Sequence, residues 1–104
     1  MTTFYRHGDL LITQVDSIPS GLPKKKDTVL LEGEASGHFH RLHGGLVLEE
    51  KPTQENNYLL GYFELEKDTE LTHEEHGTIT LTPGKYRFFG QREYDPVQEH
   101  RVID

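Results

Sequence analysis

Five of the chain's seven histidines fall in two short windows, GHFHRLH from Gly37 to His43 and THEEHG from Thr72 to Gly77. Neutral imidazole nitrogens, with carboxylates beside them, suit a divalent ion such as Zn, Mn, Fe, Ni or Cu. Three protein ligands leave a coordination position at which such an ion acts as a Lewis acid. Residues two apart in a strand point to the same face, so His38 and His40 project together while Phe39 turns the other way as a core anchor. His43, an odd step from His40, falls out of phase and reads as a turn residue. His73 and His76 flank Glu74 and Glu75 in a turn, where a spacing of three brings both rings toward one point. The bland alternative is that each of these is an ordinary surface histidine on a strand edge or turn, and His7, isolated in the sequence, is read that way.

The two windows form one site only if the strands that carry them are neighbours. No stretch of a dozen residues keeps an apolar stripe at helical spacing, so the chain reads as strands and turns. Asp9 to Val15 and Asp27 to Glu32 are apolar and β-branched runs separated by a loop with two prolines and a glycine. His38 to Leu42 continues as a strand, and Gly44-Gly45 reads as a hairpin turn into Leu46 to Glu49. The most apolar run, Tyr58 to Glu66, is expected to be a central strand. Thr78 to Leu81 alternates, Pro83-Gly84 reads as a turn, and Tyr86 to Phe89 as the return strand. His100 to Asp104 reads as a last short strand. These add up to about seven or eight short strands, the pattern of an all-β, single-domain jelly-roll-like barrel or sandwich spanning residues 1–104.

Composition bounds the function. At 104 residues and 12.0 kDa there is room for one core, and ten aromatics, five Tyr and five Phe, must supply much of it. A formal charge of -7 opposes a phosphate backbone, so no nucleic acid partner is expected. No segment reaches the roughly 20 apolar residues of a membrane span, and MTTFYRHGDL lacks the apolar stretch of a signal peptide. The absence of cysteine removes disulfides and thiolate ligands and fits a reducing cytoplasm. Neither a G-x-S-x-G elbow nor a phosphate-binding glycine loop is present, so acyl transfer and nucleotide hydrolysis have no support.

Gly33, His38-Phe39-His40 and the later run GTITLTPGKYRFF, followed by Pro96 to His100, resemble the motifs of the cupin superfamily. Gly44-Gly45 stands where that family's motif carries a glutamate. The resemblance implies a small jelly-roll barrel in which His38, His40 and His100 are the ligand histidines. His73 or His76 then replaces the missing carboxylate. Glu32 and Glu34 are candidates to orient the rings, and Arg92 is either an anion-holding guanidinium or the partner of Glu93 or Asp95. The expected function is therefore a cytoplasmic cupin-like protein holding one divalent metal ion through His38, His40, His73, His76 and His100, with a small-molecule ligand. The alternative is a non-catalytic interaction module that binds a protein partner or pairs as a homodimer. A third reading is a pH sensor, since clustered histidines titrate near neutrality.

Overall fold

The computed structural model describes residues 4–32, 38–50, 58–74 and 76–90, which form nine strands. They are β1 (Phe4–His7), β2 (Leu10–Val15), β3 (Val29–Glu32), β4 (Phe39–Leu42), β5 (Leu46–Glu49), β6 (Leu59–Leu65), β7 (Thr69–Thr72), β8 (Ile79–Leu81) and β9 (Gly84–Gly90). A five-stranded sheet has the order β1-β2-β9-β6-β5, and a four-stranded sheet the order β3-β4-β7-β8. Every pairing between these strands is antiparallel. The architecture is all-β, and of barrel and sandwich it is the sandwich.

Alternation in the sequence dictates the buried layer. In β9, Tyr86 and Phe88 point inward while Arg87 and Phe89 face out, and in β2 Leu10 and Ile12 do the same opposite them. These residues meet Phe63 and Leu65 of β6 and Leu42, Leu71 and Leu81 of the other sheet in one apolar core. Phe63 stacks on Tyr86 with centroids 4.9 Å apart and lies 5.9 Å from Phe88, so the aromatics do fill the middle of this small domain.

Both glycine turns read as hairpins are crossings between the sheets. β4 belongs to the four-stranded sheet and β5 to the five-stranded one, and β8 and β9 divide in the same way. Gly44 and Gly45 adopt φ of 144° and 89°, which lets the chain leave β4 after His43 N–H donates to the Glu70 carbonyl. Hairpins join β1 to β2, β3 to β4, β5 to β6 and β7 to β8, alternating between the sheets. Two strands, β1 and β7, are additions to the expected set. Phe39 is not a core anchor: it sits half-buried on the outer face of β4, under the guanidinium of Arg41 at 5.6 Å. The strand expected at His100 to Asp104 lies outside the described residues.

A candidate metal centre at one end of the sandwich

The inward phase of β4 carries Leu42 into the core and His40 to the core's end, fully buried. β7 is the neighbour of β4, with Arg41 opposite Thr72, so the next step of that register puts His73 beside His40. The condition for the two histidine windows to meet is thus fulfilled by direct strand pairing. From the opposite sheet comes His7, the last residue of β1, whose inward phase it shares with Tyr5. Only 3% of its surface is exposed. The reading of His7 as a surface histidine is wrong, because a two-residue turn, Gly8-Asp9, follows it and fixes its register against Leu10.

The rings of His7, His40, His73 and His76 have six mutual centroid separations, all between 4.4 and 6.1 Å. Imidazoles bound at ~2.1 Å to one tetrahedral ion place their centroids about 5 Å apart, so four rings clustered at this spacing match a shared ion in size. His38 stands at the rim, 5.6 Å from His73. His43 points elsewhere, to the hydroxyl of Thr72 at 2.8 Å. His100 and Glu75 lie outside the described residues, as do Glu34 and Arg92. Glu32 is exposed at the end of β3; the carboxylate that orients a ring is that of Asp9.

Hydrogen bonding fixes the tautomers. His7 Nε2–H donates to the Gly77 carbonyl at 2.8 Å, and His40 Nε2–H donates to Asp9 Oδ1 at 3.0 Å. Both outer contacts end on acceptors, so each neutral ring must carry its proton on Nε2. The two Nδ1 atoms then face each other across 2.9 Å with a lone pair apiece. Three contacts in a row need three protons, and two neutral imidazoles supply two. The missing proton is hard to add near neutral pH. Burial holds the His40 imidazole down to about 4 against the pull of Asp9, and burial also lowers His7, where repulsion from His76 and His73 adds to the burial and the bond to the Gly77 carbonyl opposes it.

The loop between β7 and β8 is braced on both sides. Glu74 accepts the Phe39 backbone N–H at 2.8 Å, and that bond is the main reason its carboxyl lies below the usual range. His73 Nδ1 accepts the His76 N–H over 3.3 Å. With the rings so placed, no three His, Asp or Glu side chains among the described residues form a group able to hold an ion. The inner pair of nitrogens aims at each other rather than at a common third point.

A small antiparallel β-sandwich with two buried histidines, His7 and His40, at one end of its core, and the half-buried His73 and exposed His76 gathered against them, is the class that fold and site define. The chain belongs to the family described as Domain of unknown function (DUF8820), whose model matches residues 6–91. That span takes in His7, His40, His73 and His76. Neither a curated protein nor a solved structure matches the chain.

Proposed function

We propose that this domain binds one divalent transition-metal ion between its sheets, with Nδ1 of His7 and of His40 as inner ligands and His73 and His76 completing the set. The observation that carries the reading is the 2.9 Å approach of His7 Nδ1 to His40 Nδ1 while the Nε2 of each ring lies against an acceptor, the Gly77 carbonyl for one and the Asp9 carboxylate for the other. Metal-bound histidines have that outer arrangement, because an acceptor on the far nitrogen sets the tautomer and raises the basicity of the ligating one. An ion supplies what the missing proton would, and it does so at a pH where the rings are neutral. Ligating nitrogens on a tetrahedral ion stand about 3.3 Å apart and aim at one point, so the pair must open by a few tenths of an ångström and both rings must turn off the line that joins them. An all-imidazole set favours Zn, Cu, Ni or Fe over Mn.

Under a cupin-like relationship, proposed on the same residues, His40 is the ligand shared with that family's His-x-His motif and His38 is a rim residue. A cytoplasmic setting is part of the proposal, supported by the absence of cysteine. No helix among the described residues is long and apolar enough to cross a membrane.

The test is elemental analysis of tag-free protein reconstituted with each of the five ions and dialysed. The expected result is about one ion per chain in the wild type, none in His7→Ala with His40→Ala, and a melting temperature raised by more than about 10 °C at saturating metal. A wild type that retains no ion, or a double variant that retains as much, overturns the reading.

Self-association is a second reading. Lys25 N–H donates to the Val47 carbonyl and Glu49 N–H to the Pro23 carbonyl, so the segment 23–25 covers the edge at β5. β1, at the other edge, pairs with no second strand among the described residues and carries Phe4 at 63% exposure. Light scattering on the wild type and on Phe4→Lys decides: a dimer that the variant splits supports it, and a monomer at high concentration removes it.

A further inference from the structure

The tripeptide His7-Gly8-Asp9 turns β1 into β2, and each of its residues meets a histidine of the opposite sheet or its loop. His7 faces His40, and Asp9 holds the far nitrogen of the same ring. Gly8 meets His76 by what it lacks. A Cβ built on it would fall onto Nε2 of that imidazole and come within 2.7 Å of its Cδ2. The positive φ of Gly8, 64°, at the first central position of a two-residue turn is also the conformation of the II′ hairpin family, which favours glycine there. The local turn needs the backbone freedom; the site needs the empty volume.

We propose that Gly8 and Asp9 are positioning residues of the metal centre, Gly8 by vacating the space that seats the His76 ring and Asp9 by locking the His40 tautomer. The inference rests on the metal reading and extends it. The β1–β2 turn belongs to the site, and side-chain volume at position 8 decides whether His76 reaches the ion. With His76 seated, four nitrogens are at hand and the site is closed, in the manner of a structural centre. With His76 expelled, three remain and a position opens to water.

Cobalt(II) is the probe, because its visible absorption is strong in tetrahedral sites and several-fold weaker at higher coordination number. Gly8→Ala is expected to weaken and shift the Co(II) spectrum of the loaded protein, to match that of His76→Ala. Gly8→Ala placed on His76→Ala is expected to change nothing more. Gly21→Ala is the control for backbone strain: Gly21 has a φ of 86°, and a Cβ there would meet nothing within 4 Å. Its spectrum should stay wild-type. If Gly8→Ala alone does not fold, recovery of folding in the double variant supports the same conclusion. For Asp9, the readout is the ring ¹⁵N shifts of His40 in metal-free protein, which Asp9→Ala should alter and Asp9→Asn, still an acceptor, should preserve.

A Gly8→Ala spectrum identical to wild type, or a further change on the His76→Ala background, overturns the role of Gly8. Ring shifts unmoved in Asp9→Ala overturn that of Asp9. A wild type that takes up no Co(II) sinks the metal reading. The ¹⁵N shifts of His76 in metal-free Gly8→Ala then still decide whether Gly8 seats the ring: moved shifts uphold it and unmoved shifts end it.

Discussion

Two buried polar features sit in the same sandwich, and they differ in completeness. Tyr86, fully buried in the aromatic middle, donates its hydroxyl proton to the Thr82 carbonyl at 2.7 Å and lies 3.3 Å from the Thr82 hydroxyl. Its one proton has an acceptor, so the group adds stability without asking for anything else. At the histidine end the chain from Gly77 through His7 and His40 to Asp9 is one proton short. A half-satisfied buried network costs more than an apolar core of the same shape. The difference separates a polar group whose hydrogen bond is complete within the fold from a buried pair of rings whose inner contact is not.

The largest effect that sharpens this contrast belongs to the apolar middle. Phe63→Ala removes a fully buried ring stacked on Tyr86 and should cost about 3–5 kcal/mol of unfolding free energy by chemical denaturation. Metal content per folded chain should not change. Loss of the ion in that variant would mean that the two regions are not separable.

Acid comes next, in the metal-free protein. His40 in the folded chain stays neutral down to about 4, whereas an unfolded histidine takes up its proton near 6.5. The unfolded state therefore binds more protons between these values. Stability is fully present above about pH 6.5 and falls as the pH drops toward 4, by about 3 kcal/mol from His40 alone. His7, lowered in the same direction by its burial, adds to the loss. Denaturation midpoints that stay flat from pH 7 to 4 would show that these rings are not held neutral.

How far all this was legible from sequence follows from the range of each signal. Alternation is local, so β2, β6, β8 and β9 stand close to where their apolar patterns put them. Which sheet receives the next strand is not local. Gly44-Gly45 and Pro83-Gly84 look the same as hairpin turns until the partners of β4 and β9 are known. His40, His73 and His76 were legible because clustering in sequence survived as clustering in space. His7 was not, since its partners His40 and Gly77 are 33 and 70 positions away. One signal was present: in YRHGDLLI a Gly-Asp turn follows Tyr5 and His7 in one phase, which marks a hairpin with His7 on its inner face. Nearness in sequence points to Glu32 and Glu34 as ring-orienting carboxylates, whereas the carboxylate on His40 is that of Asp9, 31 positions away across the sandwich.

The smaller effects break the comparison most directly. Tyr86→Phe removes the hydroxyl that donates to the carbonyl of the exposed Thr82, for a cost of about 1 kcal/mol. His7→Leu with His40→Leu removes both rings of the incomplete pair. Replacing both members by apolar groups of similar volume is close to neutral, whereas removing one leaves the other unsatisfied. The double variant, measured metal-free by denaturant unfolding, should stay within about 1 kcal/mol of wild type, and its stability should lose most of the decline between pH 6.5 and 4. Each single leucine variant should be the less stable protein. If the double variant is instead as damaged as Phe63→Ala, the histidine pair is a structural element of the core like Tyr86, and the missing proton has been made good within the fold itself.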